Sequence, residues 1–165
     1  MAKPKATTAY KVGANVEGLD GTLRALRGID KEANQQIRDK TQKIAQLMSN
    51  EVTAAGRSRG GRDAFVAESF RATRERTPVV KGGAAKRMNV SRTGAGPRAS
   101  DLIFGMEFGA NQEGPNGFRF PPRTPQRGRG SEGYWIFPTA RKQQRRVVEL
   151  WAQGLEEVGR EWAKK

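Results

Sequence analysis

The chain has 165 residues, a formal net charge of +14 and a sequence pI near 10.9, and it contains neither cysteine nor histidine. Those two absences exclude disulfides, thiolate chemistry, thiolate zinc sites and histidine general bases. The length fits one domain, the 35% hydrophobic content gives a modest core, and the charge favours an acidic partner, either nucleic acid or an acidic protein surface. No run of about 18 apolar residues is present to span a membrane, and the basic N-terminus lacks the apolar stretch of a secretory signal.

In chain order, residues 1–18 read as an arm, and residues 19–165 as a single domain with loops at about 81–100 and 110–133. In the arm, Tyr10, Val12 and Val16 fall on one side of an extended chain. Such an arm can add a strand to a neighbour's sheet edge; disorder is an equal expectation. Leu19, Leu23, Leu26 and Ile29 step by 4, 3 and 3, which predicts a short helix. A long helix follows, with Asp30 as its cap and a stripe of Ala33, Ile37, Thr41, Ile44, Met48, Val52 and Ala55, stopping at Gly56. After the glycine and arginine stretch 57–62, Asp63 caps a short helix, and a strand follows. Thr77–Gly83 reads as a further strand ending in a turn, with Pro78 confining it to an edge or a strand start.

The segment 84–100 is rich in Lys, Arg, Gly and Ser and has no stripe. Leu102, Phe104, Met106 and Phe108 then alternate, the period-2 signal of a half-buried strand, with Glu107 on the opposite face. A proline- and glycine-rich loop runs to Gly133, and the bulky Tyr134–Phe137 predicts a short strand. Pro138 and Thr139 predict a helix start with Thr139 as N-cap. From there Val147, Trp151, Leu155, Val158 and Trp162 form one helical face to about Ala163, expected to pack on the chain's own sheet, the other reading being that part of it docks on a neighbouring chain. Phe104, Met106, Phe108, Trp151, Leu155 and Trp162 are the expected core. The fold class is α+β: a small antiparallel sheet against a long N-terminal and a long C-terminal helix, with extended basic loops.

Three blocks of this sequence resemble a known family. They are Leu102-Ile103-Phe104-Gly105-Met106-Glu107-Phe108-Gly109, the aromatic and proline block Phe118–Pro122, and Gly133-Tyr134-Trp135-Ile136-Phe137-Pro138-Thr139-Ala140-Arg141. In this order they are similar to the tail-completion or neck proteins of long-tailed siphophages, the gene-product-ten-like head–tail connector family. The Thr77–Gly83 turn is similar to versions in actinobacterial phages. The chain departs from the usual pattern at Val80-Lys81-Gly82-Gly83 and at Pro138-Thr139. The resemblance covers roughly 19–165 and implies a non-enzymatic virion component of the head–tail junction, made in the host cytoplasm. It implies a ring of identical copies, a hexamer favoured, meeting neighbouring neck proteins: the adaptor, stopper or tail terminator.

On that reading Phe118, Phe120, Arg123, Arg127, Arg129, Tyr134, Trp135 and Arg141 are the candidate interface residues, because aromatics and arginines are enriched at interface hot spots. Phe118, Phe120, Tyr134 and Trp135 have core as the other reading. The basic loops meet acidic protein surfaces, or make nonspecific contact with packaged DNA. The alternative function is a basic nucleic-acid-binding module, favoured by charge and opposed by the lack of a base-reading motif. Catalysis is not expected: carboxylates such as Asp101, Glu107, Glu156 and Glu157 read as strand ends and helix solvation, and no cofactor or metal is implied.

Overall fold

The computed structural model describes residues 10–12, 31–84, 87–88, 96–109, 113–114, 118–119 and 132–163. The expected short helix at 19–29 lies outside them, as do 85–86, 89–95 and most of the loop 110–133. The described elements are β1 (Tyr10–Val12), α1 (Lys31–Arg59), α2 (Gly61–Ala67), β2 (Arg71–Thr73), β3 (Val79–Gly82), α3 (Ala99–Phe108), β4 (Glu113–Gly114), β5 (Phe118–Arg119) and α4 (Ile136–Trp162). The protein is α+β. A three-stranded antiparallel sheet of order β1-β3-β2 packs against the helices, and β4 and β5 form a separate two-stranded ladder.

In the larger sheet Tyr10 pairs with Gly82 and Val12 with Val80 on one side of β3, while Arg71 pairs with Lys81 and Thr73 with Val79 on the other. Part of the N-terminal arm is therefore a strand of its own chain's sheet. Pro78 stands immediately before β3 and removes no hydrogen bond from this central strand. The short helix and strand expected after Asp63 are both present. Gly60 occupies the N-cap, and Asp63 lies inside the first turn.

The stripe predicted for α1 is the face it buries. Ala33, Ile37, Thr41, Ile44 and Val52 are all buried, and Met48 and Ala55 are half-buried. Its first half meets α4, where Ala33 and Ile37 pack with Val158 and Ile44 with Val147 and Trp151. Its second half joins the main core of Val66, Ala67, Phe70, Val80, Leu102, Ile103, Met106, Trp135 and Ile136. The apolar face of α4 thus lies chiefly on α1 and not, as expected, on the sheet, because α1 occupies the sheet's covered side. Trp151 still reaches the β2–β3 turn, donating its indole N–H to the Arg76 carbonyl at 3.3 Å.

Gly56 does not end α1, which continues to Arg59. It is buried inside the helix, and a Cβ there would stand 2.4 Å from the Ala67 Cβ and 2.7 Å from the Trp135 ring. The absence of a side chain is what lets α1 approach α2 and Trp135 so closely. Gly56→Ala gains about 1 kcal/mol in helix propensity but overpacks rigid neighbours at a cost of about 1–3 kcal/mol. We expect a net loss in a urea titration, and partial recovery in Gly56→Ala/Ala67→Gly.

The largest departure from the sequence reading is α3. Residues 102–109 were expected to form a strand, and Ala99–Phe108 is a helix. Ala99, Leu102, Ile103, Met106 and Glu107 are buried along one helical face, and Gly105 is buried beside them. Asp101 supports the start by accepting the Arg98 backbone N–H at 3.0 Å. Gly109, at φ 74°, ends the helix, its N–H donating to the Gly105 carbonyl. Phe104, expected in the core, is 49% exposed; it stacks on Phe108 at 6.0 Å, and Phe108 lies 5.4 Å from Phe137.

Candidate functional site

Of the residues singled out for an interface, Tyr134, Trp135 and Arg141 lie at the entry to α4. That entry is built on Glu107. Its side chain comes from the last turn of α3 and is 1% exposed. One carboxylate oxygen accepts the backbone N–H groups of Tyr134 and Phe137, both at 2.9 Å. The other accepts those of Trp135 at 3.0 Å and Ile136 at 2.9 Å.

Helix starts leave their first N–H groups without partners, and here each is accounted for. Glu107 takes four, Pro138 has none to satisfy, and Thr139 opens the helical ladder by donating to the Trp135 carbonyl at 3.2 Å. Thr139 is therefore inside the helix and not its cap. Tyr134–Phe137, expected as a strand, is a tight turn followed by the first two helical residues. A carboxylate also suits the positive end of the helix dipole. Gly133 makes room for it: its φ is 74°, and a Cβ there would fall 2.1 Å from the Glu107 oxygen.

Around this cap the aromatic block divides. Trp135 is 2% exposed, edge-on to Phe70 with ring centroids 6.0 Å apart, and its indole N–H is buried without a hydrogen bond. It belongs to the chain's own core, so its candidacy as an interface anchor is corrected. Tyr134 is half-buried, with the Arg59 guanidinium 3.8 Å above its ring centroid. Arg59 also lies 3.6 Å from Asp63, which joins the ends of α1 and α2 to the α4 entry. Arg141 is exposed and donates to the Glu132 carbonyl at 2.6 Å. Phe118 lies in β5, paired with Gly114. Phe120, Arg123, Arg127 and Arg129 lie outside the described residues.

Sequence reasoning missed the role of Glu107 and the part played by Arg59. The signal for the first was present: one acid inside the apolar run 102–108, at helical spacing from Leu102, Ile103 and Met106. The other ion pairs lie at the surface. The hydrogen bond from Arg74 holds the Asp39 carboxyl below its ordinary value, and Lys40 does the same for Glu157 across the α1–α4 seam. Among the described residues no group of three or more His, Cys, Asp or Glu is placed to hold a metal, and no helix is long and apolar enough to cross a membrane. No family model matches the chain, and neither a curated protein nor a solved structure matches it.

Proposed function

We propose that the chain is a structural protein of a phage head–tail junction, assembling as a ring of identical copies that joins the capsid connector to the tail. One observation carries this reading furthest. Two of the blocks on which the resemblance rests, the Glu107-Phe108-Gly109 end and the Gly133–Arg141 entry, are separated in sequence yet form one unit through the four hydrogen bonds to Glu107. Their joint presence then has a physical reason: the acid is needed where the aromatic block turns into the last helix. A part that joins neighbours needs a fixed body, and this cap fixes the helix that spans its length.

The test is the composition of finished particles. Mass spectrometry of virus particles purified from the phage that encodes the chain should find it at a fixed ratio to the tail proteins. Absence from particles would end the reading. Steep, salt-dependent binding of the isolated chain to random duplex DNA, together with that absence, would favour the nucleic-acid module instead.

A further inference from the structure

The charges on α4 are divided by halves. From Ile136 to Val148 the helix carries Arg141, Lys142, Arg145 and Arg146 and no acid. From Glu149 to Trp162 it carries Glu149, Glu156, Glu157 and Glu161 against one base, Arg160. All of these side chains are on the exposed side of the helix.

This order crowds like charges side by side within each half. The helix dipole does not account for it, because the dipole acts within the terminal turns, where α4 has no acid at its start and Arg160 at its end. Internal pairing offsets only part of the crowding. Arg145 meets Glu149 at 2.8 Å, Arg160 meets Glu156 at 3.0 Å, and Lys40 meets Glu157. Lys142, Arg146 and Glu161 have no ion-pair partner among the described residues. Two exposed clusters of opposite sign on one helix, complementary to each other, point to a contact in which one half meets the other on a second molecule.

We infer that the exposed face of α4 is the contact surface between copies of this chain, the basic half of one copy meeting the acidic half of the next. The inference rests on the ring reading, which it deepens by naming the surface. Each copy joined head to tail keeps one basic and one acidic half available, so the contact propagates until a rotation closes it. Antiparallel pairing about a two-fold axis would satisfy both halves at once and stop at two copies.

The purified full-length chain is tested by analytical ultracentrifugation. At about 50 mM salt it should form species larger than a dimer, and at about 1 M salt, where the screening length is ~3 Å, these should dissociate. Lys142→Glu/Arg146→Glu should abolish the large species, and so should Glu156→Lys/Glu161→Lys. All four positions are exposed and the one pair lost, Arg160 with Glu156, is a surface pair, so the melting temperature should change little while assembly is lost. A residue that merely held the fold would lower it. An equimolar mixture of the two variants, and a chain carrying all four changes, should both assemble again.

A wild-type chain that is monomeric, or dimeric only, at every salt concentration would overturn the inference. So would assembly that survives either pair of changes, or duplex DNA binding lost in Lys142→Glu/Arg146→Glu with no self-association. None of these outcomes bears on whether the chain is present in particles, so failure here and failure of the ring reading are told apart.

Discussion

Replacing Glu107 with alanine should remove about 4–6 kcal/mol of folding stability, out of the ~5–15 kcal/mol typical of a domain. The estimate follows from the four N–H groups that the carboxylate holds. Each abandoned donor costs about 1–3 kcal/mol when it stays buried. Those of Trp135 and Ile136 belong to buried residues, whereas those of Tyr134 and Phe137 belong to half-buried ones and recover water in part. Glu107→Gln keeps the shape but turns one acceptor into a donor facing two N–H groups, so it should lose roughly half as much. Gly133→Ala should act in the same direction, since its Cβ would occupy the space of the Glu107 oxygen. Combined with Glu107→Ala it should cost less than alone, because the clash with the carboxylate is gone, while the positive φ and the Phe137 Cβ at 2.9 Å leave a residual loss. Urea unfolding followed by helical ellipticity measures all four. A Glu107→Ala protein within about 1 kcal/mol of the wild type would show that the cap does not hold α4.

Trp135→Ala should cost about 3–5 kcal/mol, the usual range for emptying a buried aromatic site. Its ring fills the space left by Gly56 and meets Phe70 edge-on. Trp135→Phe should cost less, because the indole N–H has no hydrogen bond to lose and only ring volume goes. If Trp135 were an interface anchor, the order would reverse: Trp135→Ala would fold normally and fail to assemble. Thermal unfolding of the isolated chain beside its sedimentation separates the two.

The two long helices were legible because their stripes are sustained. The α1 stripe steps by 3 and 4 through Ala33, Ile37, Thr41, Ile44, Met48, Val52 and Ala55, and a period held for about six turns leaves no second interpretation. The α4 stripe through Val147, Trp151 and Val158 was legible for the same reason. Short segments gave less. In Leu102–Phe108 an alternating reading selects Leu102, Phe104, Met106 and Phe108, and a helical one selects Leu102, Ile103 and Met106. Over seven residues both fit, and only Ile103 argues between them. The aromatic block failed for a different reason. Tyr134–Phe137 has strand propensity, but a carboxylate supplied by Glu107 takes its N–H groups and turns the chain into a helix. Propensity is local, and the group that overrides it lies 27 residues earlier at the nearest. The interface candidates were harder still, because composition separates neither a buried Trp135 from an exposed one nor a core phenylalanine from Phe104.

The seam between α1 and α4 has a bearing on how the protein is made. Ala33 and Ile37 are covered by Val158, and Lys40 pairs with Glu157. A ribosome releases the first of these partners more than a hundred residues before the second. During that interval the first half of the early helix has its oily stripe facing water, without the partners that cover it in the finished fold, and high contact order of this kind slows folding and favours aggregation. Nascent chains halted before Leu155 should therefore be chaperone clients, and completion of roughly the final two turns should release them.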